Sequence, residues 1–384
     1  MASKTVLILG GGVGGLVLAN ELRKKIDKEH RLVLIDREEK HIFSPSLLWL
    51  MIGRRKPEQI TRELAPLRKK GIEVIRGEIE AIDPEARAVR VDGDRLQGDY
   101  LVVSLGAQLA PERIPGLAEA GHNFYSLDGS IRLRDERKDF TRGNLVILVA
   151  GMPFKCPAAP YEAAMLLDYD LRKRKVRAEI QVALYSPEKG PMGVAGPEVS
   201  AGVRQMVEQR EITYYPQHQV TEVDASRKVV CFSNEAEAPF DFLAYVPPHI
   251  APPLLKDAGL LGESGWVPVD RFSMATRFPG VYAIGDATGI PLSMGLPLPK
   301  AGVFAHRQAK AVAQTIAAEI RGKGPPGDFD GRGECFVEVG KGRAGFARGN
   351  FYAEPTPKIK SYKAGRLWHF GKVWFEWRWL RRWF

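Results

Sequence analysis

An α/β chain with two Rossmann-like dinucleotide-binding domains and a C-terminal amphipathic segment is what this sequence predicts. Three observations carry the prediction. The N-terminus reads strand, glycine turn, helix, with Gly10, Gly12 and Gly15 spaced as GxGxxG. A second strand-to-helix passage begins at Leu145 but lacks those glycines. The last twenty residues, "GRLWHFGKVWFEWRWLRRWF", combine tryptophans and arginines at helical spacing.

In the first unit, "TVLILGGGVGGLVLANELRKK" runs from an apolar strand through the turn into a helix. The first glycine makes the turn, the second admits a pyrophosphate to the backbone, and the third lets helix pack on strand. The helix N-terminus then offers free N–H groups and a positive dipole end to phosphate. "RLVLIDR" follows as a second strand. It ends at Asp36, with Arg37 beside it, where a ribose hydroxyl is normally held.

Two distant segments complete this unit. "DYLVVSLGAQ" is a buried-type strand closing in a small-residue turn that contains Gly106. "ATRFPGVYAIGDATG" is a short strand over 281–284, closed by Gly285 and Asp286. Both resemble later segments of flavoproteins with two dinucleotide-binding domains, which implies FAD in the first fold and Asp286 on its ribityl chain. "LPLPKAGVFAHRQAKAVAQTIAAEI" then predicts a helix with Pro299 in its first turn. Its N-terminus and Lys300 would stabilise negative charge on a reduced flavin.

The middle of the chain repeats the pattern. "NLVILVAG" reads as a strand, and "PYEAAMLLDYDLRKRK" as a helix with Ala163, Leu166, Leu167 and Leu171 on one stripe. "AEIQVALYSP" is the next strand, ending near Ser186 and Glu188. Between the first strand and the helix, Met152–Pro157 replaces the glycine finger, and Pro153, Pro157 and Pro160 remove N–H donors. NAD(P)H binding is disfavoured. The turn offers Cys156 instead, next to Lys155 and just ahead of a helix, two influences that lower a thiol pKa. Glu162 falls in the first helical turn, where it suits the dipole and could act as a base. Cys231 alternates within a strand-like run and reads as a small buried hydrophobe. Cys335 lies among glycines after the last helix of the first fold. Three cysteines allow three pairings, and spacing selects none of them.

The 384 residues can bury more than one core. No apolar run approaches the roughly 20 residues of a membrane span, and no signal peptide is visible, so the cytoplasm is the expected compartment. The net charge of +10 is concentrated at the C-terminus, where residues 358–384 hold eight Lys or Arg against one acid, Glu376. At helical spacing Phe370, Trp374, Trp377 and Phe384 form one stripe, broadened by Val373 and Leu380, while Phe375, Trp379 and Trp383 face nearly the opposite way. Trp with Arg is the composition of a helix lying in a membrane interface. Nucleic acid is disfavoured because the basic charge comes without a recognisable nucleic-acid motif.

Taken together the chain resembles the sulfide:quinone oxidoreductases, with the flavoprotein subunit of flavocytochrome c sulfide dehydrogenase as a close relative. "KCPAAPYE", "ECF" and "FGKVWFE" are the most specific elements. The resemblance implies that Cys156 and Cys335 form a disulfide or sulfur bridge at the flavin and are attacked by hydrosulfide. It also implies that Glu162 handles protons, and that Phe336, Lys372 and Phe375 line a pocket for a membrane quinone. It divides the chain into an FAD-binding domain (1–108 and 271–320), a degenerate NAD-type domain (109–270) and a redox-cysteine and membrane region (321–384). A peripheral membrane protein on the cytoplasmic face, in a homo-oligomer, is expected. Residues 121–141 lack the third cysteine many members carry, so the chain resembles the two-cysteine subgroups. A type II NADH dehydrogenase, a cytochrome-linked sulfide dehydrogenase and a non-enzymatic flavin scaffold are the competing readings.

Overall fold

Apolar strands flanked by helices build two parallel sheets, as the alternation of the sequence demands. The computed structural model describes residues 2–384. The first sheet has five strands in the spatial order Val281–Ala283, Tyr100–Val103, Thr5–Leu9, Arg31–Asp36, Glu73–Arg76. Every neighbouring pair is parallel. Strand order reverses between Thr5–Leu9 and Tyr100–Val103, so the loops leaving their carboxyl ends diverge and open a crevice.

Four helices position the site: α1 (Val13–Arg23), α2 (Ala159–Lys173), α3 (Gly302–Arg321) and α4 (Arg366–Arg382). Helix α1 packs on α3 through Leu16, Val17, Val312 and Ile316, all buried in one core. Pro299 is not in the first turn of α3, contrary to expectation. The helix starts at Gly302 with Ala301 as its cap, and residues 299–300 run extended before it.

The second sheet orders His122–Asn123, Phe242–Val246, Gly143–Val149, Ile180–Tyr185 and Ile212–Tyr215, again all parallel. Its reversal lies between Gly143–Val149 and Phe242–Val246. The predicted stripe Ala163, Leu166, Leu167 and Leu171 of α2 is buried, and so is every residue over 158–168. A helix hidden on all sides must be covered on both faces. The second cover is an antiparallel sheet of Arg332–Glu338, Ala344–Asn350 and Lys358–Gly365, whose Val337 and Val339 join the α2 core.

That sheet leads into α4, which divides as the tail pattern suggests. Leu367, Phe370, Trp374 and Trp377 are 73, 65, 55 and 50% exposed, whereas Trp379 and Trp383 are buried in the first core. Leu380 belongs with the buried set, and half-buried Val373 packs on the second core. The expected broadening of the exposed stripe is therefore wrong. Its cause is that Arg62 donates to the Leu380 carbonyl at 3.2 Å and Asn20 to the Trp383 carbonyl at 3.1 Å, pulling this end inward. Cys231 is another correction. It is half-exposed between buried Val230 and Phe232, because strand alternation points it outward. Among the described residues no helix is long and apolar enough to cross a membrane.

Candidate active site

The glycine turn closes on the first crevice. Gly10 has φ +97°, and a Cβ on Gly15 would sit 1.9 Å from the Gly10 carbonyl oxygen. No side chain fits there, so α1 begins directly against the strand end. Ser104 fixes the neighbouring strand end by donating to the carbonyls of Leu9 and Gly10 at 2.8 and 2.9 Å. Gly12 faces open space. Asp36 accepts from the Gly11 N–H, and Arg37 beside it lies on the surface near Glu38 and Glu78.

One cavity of about 2770 Å³ is shared by all three sheets. Gly10, Gly12, Asp36, Arg37, Gly106, Gly285, Asp286 and Lys300 line it from the first fold. The expected flavin-contacting residues thus converge, with Gly15 behind the turn. Buried Asp286 leaves its Oδ1 without a hydrogen-bond partner. Burial raises its carboxyl pKa despite the opposing charges of Lys155 and Lys300. An orphaned acceptor, an open glycine turn and a helix N-terminus fit a ligand with hydroxyls and phosphates. A cavity this large exceeds the roughly 300–1,000 Å³ of an ordinary ligand site and has room for more than one molecule.

Lys300 differs from expectation. Its Nζ donates to the carbonyls of Asp286 at 2.7 Å and Thr288 at 3.1 Å, and lies over the Trp266 ring. Burial pulls its ammonium down to about 7, with Asp286 opposing. It braces the Asp286 turn rather than standing free at a helix start.

In the second fold, residues 150–157 fill the crevice at the sheet reversal. The Cys156 N–H donates to the Lys300 carbonyl at 2.7 Å, joining this loop to the first fold. Tyr125 donates its hydroxyl to the Cys156 carbonyl at 3.3 Å. Cys156 adopts φ +54°, a conformation rarely favourable for a side-chain-bearing residue. Glu188 does not await a ribose. It accepts from the Tyr161 hydroxyl at 2.6 Å, Ser186 at 3.1 Å and the Met192 N–H at 3.2 Å.

Cys335, on the Arg332–Glu338 strand, lines the same cavity as Cys156, and both are free thiols. The expected lowering of the Cys156 pKa is reversed. Burial pushes the thiol up to about 12 and the nearby Glu162 carboxylate adds to this, outweighing Lys372. Burial also lowers the Lys155 pKa, against the charges of Asp286 and Cys156. Burial also raises Cys335, and Cys156 and Glu162 act in the same direction.

Beside the thiols lies a buried ion pair. Lys372 Nζ stands 3.2 Å from both Glu162 oxygens, and the Glu338 N–H donates to Glu162 at 2.8 Å. Burial raises the Glu162 carboxyl pKa against the pull of Lys372. Burial opposes the Lys372 charge, but Glu162 and Glu338 outweigh it and hold the ammonium above its ordinary value. Lys372, Phe336 and Phe375 line the cavity where it reaches Leu367 and Trp374 on the exposed stripe of α4. The Lys372 ammonium is thus engaged by Glu162 rather than presented alone.

Sequence reading missed Glu338, His369 and His41. Glu338 accepts from His369 Nδ1 at 2.8 Å. His41 bridges the Gly11 carbonyl (3.0 Å) and the Trp379 indole (3.2 Å). The spacing of His369 and Lys372 on one helical face was the available signal.

Residues 4–309 match the pyridine nucleotide-disulphide oxidoreductase family. The chain belongs to this family. Within it, the chain is 27% identical to a sulfide-quinone reductase of Aquifex aeolicus over 97% of its own length and 90% of the relative's. It is 25% identical to the mitochondrial sulfide:quinone oxidoreductase of Mus musculus, over 91% of this chain and 79% of that one. The X-ray structure of the Aquifex aeolicus sulfide:quinone oxidoreductase superposes with a TM-score of 0.89 at 26% identity, covering 99% of this chain and 92% of that one. A pyridine nucleotide-disulphide oxidoreductase fold thus carries a cysteine, Cys156, at the turn where its second dinucleotide would be expected.

Proposed function

We propose that the protein is an FAD-dependent sulfide:quinone oxidoreductase, in which Cys156 and Cys335 take electrons from hydrosulfide. The observation that carries this reading is the conversion of the second phosphate turn into a mount for Cys156, in one cavity with Cys335. The relatives that bear this activity in their names span nearly the whole chain.

Gly10, Gly12, Gly15 and the α1 N-terminus would hold the FAD pyrophosphate, Asp36 a ribose hydroxyl and Asp286 a ribityl hydroxyl. FAD, when bound, supplies a two-electron acceptor between sulfide and quinone. In the oxidised form the two cysteines, free thiols here, would be joined by a bridge once their two electrons have passed to the bound acceptor. Hydrosulfide would attack it, so that a new S–S bond forms a persulfide on one, the old S–S bond breaks, and the other leaves as thiolate. Lys372 stabilises that anion electrostatically. Glu162 holds or passes the proton released. Phe336, Phe375 and Lys372 would line the quinone site, with the exposed stripe of α4 seated in a bilayer interface.

Anaerobic mixing with sulfide is expected to bleach the flavin absorbance, NADH to leave it unchanged, and added quinone to restore it. Rapid bleaching by NADH with none by sulfide overturns the reading. Cys156→Ser is expected to abolish sulfide bleaching while FAD stays bound.

A further inference from the structure

Beyond the cysteines and the ion pair, one buried group has no role yet: the Glu338 carboxylate. Glu338 is fully buried, and its Oε2 has no hydrogen-bond partner among the described residues. Its Oε1 accepts from His369, whose side chain is 17% exposed. On its other side, the Glu338 N–H holds Glu162, and Glu162 holds Lys372. His369 and Lys372 stand one turn apart on the same face of α4. From the surface inward the order is His369, the Glu338 carboxylate, then the Lys372–Glu162 pair held by the Glu338 backbone.

Burying a carboxylate with one oxygen unpaired is costly for stability alone. The same four groups can each gain or lose a proton, and the Glu338 carboxylate is near enough for its charge to act on both Glu162 and Lys372. The reaction proposed above requires a proton supply. Oxidising hydrosulfide to protein-bound sulfane sulfur releases two electrons and one proton. Reducing a quinone to quinol consumes two electrons and two protons. One proton per turnover must therefore be drawn from bulk water to the quinone.

The geometry points to His369 and Glu338 as the relay that delivers this proton from solvent to Lys372, and through it to the quinone oxygen. His369 takes the proton from water at one ring nitrogen and releases one from Nδ1 to Glu338. Lys372, which both carboxylates keep protonated, gives its proton to the reduced quinone and is recharged from Glu338. Neither His369 nor Glu338 touches the sulfur or the quinone, so both are relay residues acting through Lys372. This inference rests on the quinone-reducing reading, and its test is built to fail separately from it.

Stopped-flow spectroscopy of the holoprotein separates the two halves of turnover: flavin bleaching by sulfide, and flavin recovery with a soluble ubiquinone analogue. His369→Ala is expected to bleach at a rate within about twofold of wild type but to recover at least about tenfold more slowly, the lower range for loss of a positioned proton carrier. Added imidazole should restore its recovery, since a small base can occupy the vacated position. Glu338→Gln, nearly isosteric, should slow recovery similarly, and imidazole should not help it. Wild-type recovery in both variants overturns the relay. Equal slowing of bleaching and recovery, unaffected by imidazole, also overturns it, assigning the pair to packing. Wild-type protein that never bleaches with sulfide would instead sink the functional reading.

Discussion

Lys300 shows how strongly burial acts on a cation at the cavity wall. Its ordinary ammonium pKa of 10.5 falls to about 7 because two carbonyls and the Trp266 ring replace water. Above pH 7 the folded group sheds its proton while the unfolded chain keeps it, so the unfolded state binds more protons. Stability from this group therefore rises from about pH 7 towards 10.5 and is flat below. Melting temperatures measured from pH 6 to 9 should show wild type gaining on Lys300→Met above pH 7. A constant gap would contradict the burial argument. The Glu162–Lys372 pair makes a second residue-scale prediction. Lys372→Met leaves a buried carboxylate unpaired and should cost about 3–5 kcal/mol in denaturant unfolding. Glu162→Gln added to Lys372→Met should recover part of that loss, because the carboxylate that lost its partner is then neutral.

These residues also mark where the sequence stops being legible. Gly10, Gly15 and Asp286 were readable because local turn geometry imposes them. The cavity-facing positions of Cys156 and Cys335 followed from resemblance, not from spacing. The thiol pKa was read in the wrong direction, since neighbouring charge is visible in a sequence and burial is not. Glu338 and His369 were missed because their partnership joins a strand and a helix across a three-stranded sheet, and neither stands in a recognisable motif.

At the scale of the element, α4 carries two faces with different consequences. Its inner face holds Trp379 and Trp383 in the first core, while Glu376 is clamped by Arg55 and Ser46 at 2.7 and 2.6 Å. Trp379→Ala should destabilise the protein by about 3–5 kcal/mol, as large-to-small core changes do. The outer face should behave oppositely. Replacing Trp374 and Trp377 together by glutamate removes exposed surface only, so unfolding should shift by no more than about 0.5 kcal/mol per site. Sedimentation with anionic liposomes should nevertheless be lost. Retained sedimentation would rule out this face as the membrane contact. The fine division of α4 was partly legible: periodicity separated the two tryptophan sets, but placed Leu380 wrongly because backbone anchors at its end were invisible.

Across the whole molecule, the two parallel sheets differ in how the chain completes them. All five strands of the second sheet lie within residues 122–246. The first sheet waits for Val281–Ala283, its core for α3, and its outer wall for the last turn of α4. During synthesis the middle of the protein can close on itself while its beginning is still held open. The strand and glycine turn over residues 5–15 then emerge before that middle and are completed after it, and Trp383 is among the side chains that complete their core.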